Sequence, residues 1–395
     1  MMLTTLVLTA LIAQKDVERA IEVPFRLGDD AIIVDAVVNG KKCSFMFDTG
    51  YSGSIILNDQ INVGPVTGVQ NLRDFVGTFQ AGTVKMKSLS LGEKKIDAKE
   101  MEITLQPVAH MSLSYGTHCD GIMGFEVIRD YVTEINFEKR KFIFHPRSLD
   151  ISKRTPDNKK TFLNKLLPIG VGSMEIDVFT KDGKRLKLAL DTGNAFFATT
   201  HKDCLVRVGL WAENKPVKFM RSAQVASGPV DSWYKLMTDM KIFGVDVPSS
   251  VWSIIDLPSS SAEGDGTVGF GFLKNFNIII DMERRRVWME NFTGKTGNEM
   301  LADVGIIPFF FQDRERYFIG RVIPNSPAAA AGIRVGDELL GIDGQELLDI
   351  GQRKVMSMLE GPEGSEVQLT ISRDGTLLRP KIKRALLING LPGQN

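Results

Sequence analysis

Two Asp-Thr-Gly tripeptides, Asp48-Thr49-Gly50 and Asp191-Thr192-Gly193, are the residues of this chain best suited to do chemistry. Each closes an apolar run, Phe45-Met46-Phe47 in the first case and Leu188-Ala189-Leu190 in the second. An acidic side chain at the end of a buried strand needs a partner, because a desolvated lone carboxylate is costly. Two such ends brought together make two carboxylates share one proton, since like charges that close cannot both ionise. A pair of that kind can hold a water, one member accepting a proton and the other donating one. Gly50 and Gly193 permit the tight turn after each acid. A single copy of such a tripeptide arises readily from composition, whereas two copies in matched contexts do not.

The elements that must position these residues repeat as well. The tripeptides lie 143 residues apart, and downstream of each comes a second shared block at an offset of 145. The first block runs Asp120-Gly121-Ile122-Met123-Gly124-Phe125 and on to Glu138-Lys139-Arg140-Lys141-Phe142-Ile143-Phe144. The second runs Asp265-Gly266-Thr267-Val268-Gly269-Phe270 and on to Glu283-Arg284-Arg285-Arg286-Val287-Trp288-Met289. Residues 120–144 and 265–289 share seven identities in 25, which points to a duplicated lobe. Each block reads as a strand, a Gly turn, a short helical turn and a β-hairpin with a charged tip. Ile135, Phe137, Phe142 and Phe144 are the apolar hairpin positions of the first block, and Ile280, Met282, Val287 and Met289 those of the second. The basic tips read as solvated turn residues rather than a nucleic-acid site.

On these motifs the chain resembles pepsin/retropepsin-type aspartic peptidases, in a bacterial two-lobed form carrying a PDZ domain, over roughly residues 20–294. The resemblance implies an aspartic endopeptidase that cuts extended peptides with a water held between Asp48 and Asp191, without metal, cofactor or covalent intermediate. It further implies that Thr49 and Thr192 link the two loops through hydroxyl and backbone hydrogen bonds. The segments Ile122-Met123-Gly124 and Thr267-Val268-Gly269, the latter with Thr in the usual apolar place, are expected to pass beside the loops. One departure from the family pattern concerns the residue after each tripeptide, where Ser, Thr or Ala is usual. Here Tyr51 and Asn194 stand instead. Tyr51 is expected to fill part of the cleft and Asn194 to donate a hydrogen bond. A rival reading draws on these two residues: a catalytically inactive peptide-binding or scaffold protein.

Thr78-Phe79-Gln80-Ala81-Gly82, followed by Val84 to Gly92, alternates like an amphipathic hairpin. By similarity it is a flap over the cleft, with Phe79 in the place of the pepsin flap tyrosine and Gly82 in the same segment; the plain alternative is a surface hairpin.

Past residues 291–300 the repeat ends. Tyr317 to Ala328, then Ala331-Gly332-Ile333-Arg334-Val335-Gly336-Asp337 and Ile342-Asp343-Gly344, resemble a PDZ domain of the kind attached to bacterial proteases. Val367–Ile371 and Leu378–Ile382 read as its closing strands. PDZ domains bind an extended peptide as an added strand and hold its terminal carboxylate on backbone N–H groups. By similarity the carboxylate loop is Val304-Gly305-Ile306-Ile307. The alternative is a packing domain without ligand.

Other features narrow the class. Lys+Arg and Asp+Glu are both 48, leaving no basic excess for nucleic acid or acidic membranes. Gly264 to Gly269 formally matches a dinucleotide fingerprint, but it follows a Ser-rich stretch rather than a strand. His110, His118, His145 and His201 lack ligand spacing, so no metal site is expected. Cys43, Cys119 and Cys204 leave two readings: a Cys43–Cys119 disulfide or three buried thiols. Met1 to Ala13 is uncharged and apolar, too short to span a bilayer. It resembles the apolar part of a signal peptide, which places the chain in a secreted or periplasmic setting; the alternative is a first strand or tail of a cytoplasmic protein.

The expected fold is mainly β: a bilobal pepsin-like acid protease of two β-barrel lobes, then a PDZ domain. The expected division is residues 1–19 as signal and tail, 20–147 as the first lobe, 148–166 as a charged linker, 167–294 as the second lobe and 300–390 as the PDZ domain. Peptide or protein substrates and peptide C-termini are the expected partners. A chain that carries both tripeptides completes its site alone, so a monomer is expected.

Overall fold

The computed structural model describes residues 19–73, 78–168, 174–212, 221–225, 228–255, 264–299, 301–311 and 314–388. The apolar stretch Met1–Ala13 lies outside them. Among the described residues no helix is long and apolar enough to cross a membrane.

The chain is mainly β, and the sequence repeat is matched strand for strand. In the first sheet the relevant strands are Lys41–Asp48 (β1), Ile55–Asn58 (β2), Gly68–Arg73 (β3), Thr78–Lys85 (β4), Glu102–Gln106 (β5) and Gly121–Gly124 (β6). In the second they are Arg185–Leu190 (β7), Ala198–His201 (β8), Arg221–Val225 (β9), Gly228–Ile242 (β10), Val245–Ile255 (β11) and Gly266–Val268 (β12). The first sheet is ordered β3-β4-β5-β2-β6-β1 and the second β9-β10-β11-β8-β12-β7. Directions agree too. The β5–β2 and β6–β1 pairs are parallel, as are β11–β8 and β12–β7. Strand Glu175–Phe179 pairs with both β7 and β10, which closes the second sheet into a six-membered ring. The first sheet keeps an open order, so of the two expected barrels one closes.

The repeated Asp-Gly blocks owe their residue types to this arrangement. β6 threads between β1 and β2, and a Cβ on Gly121 would lie 2.0 Å from the Ile56 carbonyl oxygen. A Cβ on Gly124 would lie 2.1 Å from Gly53 O, and one on Gly269 2.3 Å from Phe196 O. Only glycine lets backbones approach so closely. The leading aspartates brace the strands that carry the tripeptides: Ser44 N donates to Asp120 Oδ2 and Lys187 N to Asp265 Oδ2, both at 2.8 Å.

The hairpins that follow do not stay within their own halves. Val132–Asn136 pairs with Phe276–Asp281 across the repeat, and Ile21–Pro24 and Thr161–Lys165 complete a six-stranded sheet. Arg140 and Arg285 occupy equivalent left-handed turn positions at φ 52° and 53°. The second tip is not freely solvated as expected. Arg284 Nη1 bonds Asp281 Oδ2 at 2.9 Å, and Arg285 donates to the carbonyls of Leu166 and Leu167.

The expected flap segment also needs correction. β4 runs unbroken from Thr78 to Lys85, and Gly82 sits within it opposite Val69 rather than at a turn. Its hairpin partner is β3, with Phe79 paired to Leu72 in backbone register. Of the two readings of the cysteines, three buried thiols is the one found: Cys43, Cys119 and Cys204 are free and buried.

One continuous hydrophobic core runs from Val23 to Met289, through both sheets and the shared hairpins. Residues 304–382 form a second core. Its sheet begins with Ile306–Phe311 (β13) at the edge, beside Arg316–Val322 (β14). Two helices matter below: Met111–Ser114 (α1), from the first sheet's loops, and Gln352–Leu359 (α2) of the C-terminal unit. The carbonyls that end α2 are capped by the buried Arg384 guanidinium, which donates to Leu359 O and Met358 O at 2.9 Å.

Candidate active site

β1 and β7 end at the seam between the two sheets, and there the tripeptides meet. Thr49 N donates to Thr192 Oγ1 at 3.1 Å and Thr192 N to Thr49 Oγ1 at 2.9 Å. Each hydroxyl then donates onward across the seam, Thr49 to Leu190 O and Thr192 to Phe47 O, both at 2.8 Å. Both threonines are buried, so every group in this crossed set has its partner. Close approach of the loops requires Gly50 and Gly193. A Cβ on Gly50 would meet the Asp191 carboxyl carbon at 2.6 Å, and one on Gly193 that of Asp48 at 2.3 Å.

The carboxyls are held from behind by backbone donors. Asp48 Oδ1 accepts from Gly50 N at 2.7 Å and Tyr51 N at 3.2 Å; Asp191 Oδ1 accepts from Gly193 N and Asn194 N, both at 3.0 Å. The loops bring the two carboxyls close enough for each to feel the other's charge. Burial pushes both above the ordinary carboxylate range, Asp48 furthest, because the Asp191 charge adds to its desolvation. Interaction with the protonated Asp48 favours the ionised form of Asp191. One proton on Asp48 and one charge on Asp191 is the state these effects select, and the titration belongs to the pair. Such a pair can give a proton to one oxygen while taking one from another.

The two unusual residues behave differently from the expectation. Tyr51 does not lie in the cleft. Its ring folds back over the loop, so that a Cβ on Gly53 would come 2.4 Å from its hydroxyl and one on Gly124 2.6 Å from its Cδ1. The hydroxyl lies beside the side chains of Thr104 and Gln70, and burial raises its pKa. Gln70 Nε2 donates to Thr104 Oγ1 at 2.6 Å, which ties β3 to β5 beside the Tyr51 ring. Asn194 sends its side-chain amide to Thr267 Oγ1 at 2.7 Å and Thr199 Oγ1 at 3.0 Å, not to the carboxyl. The Thr267 hydroxyl favours the ionised form of Asp191. Its role was legible only as an anomaly, a hydroxyl standing where the repeat has an apolar residue.

Among the described residues no cluster of three or more His, Cys, Asp or Glu side chains could hold a metal. Two imidazoles are engaged with carboxylates, His118 with Asp120 at 3.0 Å and His145 with Glu134 at 2.9 Å. Val304 and Gly305 form the loop before β13, while Ile306 and Ile307 are its first two strand residues and are buried.

Comparison with known proteins identifies the C-terminal unit. Residues 318–373 match the PDZ domain family, and this part of the chain is a PDZ domain. A carboxyl-terminal-processing protease of Picosynechococcus is 41% identical over 54 residues, 14% of this chain and 13% of that protein. The periplasmic pH-dependent serine endoprotease DegQ of Escherichia coli is 28% identical over 126 residues, 31% of this chain and 27% of that protein. The chain thus spans well under a third of the length of either relative. Among solved structures, an aspartic proteinase from Irpex lacteus is similar at 15% identity and a TM-score of 0.43, over 70% of this chain and 99% of that one. The two curated relatives correct the expectation of an aspartic endopeptidase: the kinship found in sequence is with a carboxyl-terminal-processing protease and a serine endoprotease.

Proposed function

We propose that this chain is a hydrolase of polypeptides, with its reaction site at the seam, Asp48 and Asp191 as the proton-handling residues there, and the PDZ domain as its peptide-binding module. The observation that carries the reading is the pair of carboxyls on two loops joined by crossed threonine hydroxyls, both pushed above the ordinary range by burial. Paired groups with pKa values displaced by burial and by each other cluster at functional sites. The kinship with two proteases supports the same class of reaction. In this reading Thr49, Gly50, Tyr51, Thr192, Gly193 and Asn194 shape the loops, and the β3–β4 hairpin with Phe79 and Gly82 covers the seam. Val304 to Ile307 form the carboxylate loop of the PDZ domain. The strand-for-strand correspondence supports a two-lobed arrangement of acid-protease type, divided at residues 20–147, 148–166, 167–294 and 300–390. A periplasmic or secreted setting accords with the name of the E. coli relative.

The kinship with DegQ favours a second reading, in which a serine hydroxyl is the nucleophile. One experiment separates them. Digestion of a peptide library is followed by mass spectrometry for the parent, Asp48→Asn and Asp191→Asn, each with and without a fluorophosphonate. Cleavage lost in both Asn variants and untouched by the reagent supports the carboxyl pair. Cleavage retained in the variants and abolished by the reagent assigns the reaction to serine. Silence from all samples, in folded protein, removes the hydrolase reading.

A further inference from the structure

The PDZ domain is fastened to both sheets, and the fastenings converge on its own peptide groove. On the first sheet, Arg353 of α2 reaches Asp30 Oδ2 at 2.7 Å, while Lys274, from the second half, reaches Asp30 Oδ1 at 3.4 Å. Asp30 is a left-handed turn residue, and the N–H of its neighbour Asp29 is held by Tyr115 O at 2.9 Å. Gly351, the N-cap of α2, abuts α1 so closely that a Cβ there would lie 2.1 Å from Leu113 O. On the second sheet, Arg321 of β14 pairs with Asp231 of β10 at 2.7 Å. Tyr234 of β10 packs with Ile307 and Phe309 of β13, and its ring meets Phe196 of the Asp191 loop edge-on at 5.9 Å.

The groove of a PDZ domain lies between a sheet-edge strand and a helix, here β13 and α2, and a ligand strand pairs with the edge. Three features close it. Gln352 Nε2 of α2 donates to Pro308 O of β13 at 3.1 Å. Pro308 itself has no N–H to offer. Gly305 N, in the loop that would receive a terminal carboxylate, is taken by Asp303 Oδ1 at 2.6 Å. An incoming strand must displace Gln352 and Asp303. α2 cannot draw away from β13 while Arg353 and Gly351 are held against the first sheet.

We propose that the docked PDZ domain is a latch: its contacts with the two sheets hold the β13–α2 groove shut, and entry of an apolar C-terminal peptide segment releases the domain from the seam. Docking is poised for release. Arg321 Nη1 is buried without a hydrogen-bond partner among the described residues, so this guanidinium gives up hydration that the single contact to Asp231 does not replace. Linkage makes the coupling reciprocal: docking weakens peptide binding by the same factor by which bound peptide weakens docking. The consequence for the reaction rests on the seam being the reaction site; the closed groove does not.

The test therefore reads binding alone. A fluorescein-labelled octapeptide with an apolar C-terminal half and a free carboxylate is titrated, by anisotropy, into the full-length parent, Asp231→Arg, Arg321→Asp and the double variant. Each single reversal is expected to bind about tenfold more tightly than the parent, and the double variant, with the pair restored in reverse, to return to within about twofold of it. In the parent, saturating peptide is expected to speed hydrogen exchange in α1. Equal affinity in the parent and both single variants, or binding by none of them, overturns the latch. Neither outcome depends on cleavage, so failure of the hydrolase reading remains distinguishable.

Discussion

At the scale of single residues, the seam sets an acid–base balance with a measurable signature. The folded protein holds the Asp48 proton more tightly than the unfolded chain, because burial and the Asp191 charge oppose ionisation. A raised carboxyl pKa contributes stability that is complete below the ordinary value of about 3.9 and lost as pH climbs through the raised value. Asp191 is displaced in the same direction and adds to the trend. The urea midpoint of the parent is therefore expected to fall as pH rises above about 4, while Asp48→Asn, which cannot ionise, flattens that fall. Parallel pH profiles for parent and variant would show that the pair is not strained by its surroundings. Tyr51 shows how little residue type alone says about direction. The same side chain could have entered the cleft, but two glycines at positions 53 and 124 leave room for it to fold over its own loop.

At the scale of elements, the glycines of β6 and β12 leave no room for a side chain against neighbouring backbone. β6 is flanked by β1 on one side and β2 on the other, so it has no room to shift away from an added methyl. Gly124→Ala is expected to cost more than about 3 kcal/mol, or to abolish folding, because the clash is with backbone at Gly53 O. Gly92→Ala makes the comparison clean. That residue also has an unusual backbone, φ +55°, but nothing lies within 4 Å of an added Cβ. Its expected cost is the conformational penalty alone, about 1 kcal/mol. Chemical denaturation of the two variants side by side checks the difference, and equal losses would show that close packing at β6 is not the constraint.

At the scale of the whole molecule, stability comes from one core that spans both repeats and from the hairpins exchanged between them, not from cross-links. The three cysteines are free and buried, and burial pushes the Cys43 thiol up to about 11, which makes it a poor nucleophile. Dithiothreitol is expected to leave the melting temperature unchanged, and thiol titration to find three groups after unfolding and almost none before. A fall in melting temperature on reduction would point to a disulfide instead. The PDZ domain has a core of its own and is joined to the rest through ion pairs and a small apolar patch. Contacts so polar and limited in area suit a domain that moves.

The sequence by itself determined the parts whose signal is local or repeated. The mainly β character follows from alternation. The duplication follows from blocks in which Asp120 and Asp265, Gly124 and Gly269 recur because both halves need the same brace and the same close approach. The paired Asp-Thr-Gly loops were legible because an acid at a strand end is too costly to leave alone. The tertiary structure alone decided what depends on neighbours remote in the chain. Hydrophobic pattern sets which face of a hairpin is buried but not which strand lies beside it, so the pairing of Val132–Asn136 with Phe276–Asp281 was invisible. Gly82 lies in mid-strand because β4 finds its register with β3 and β5, not because of its own preference for turns. Thr267 gained a part at the seam only once β12 was laid beside β7, and the PDZ groove closed only through contacts made across the whole chain.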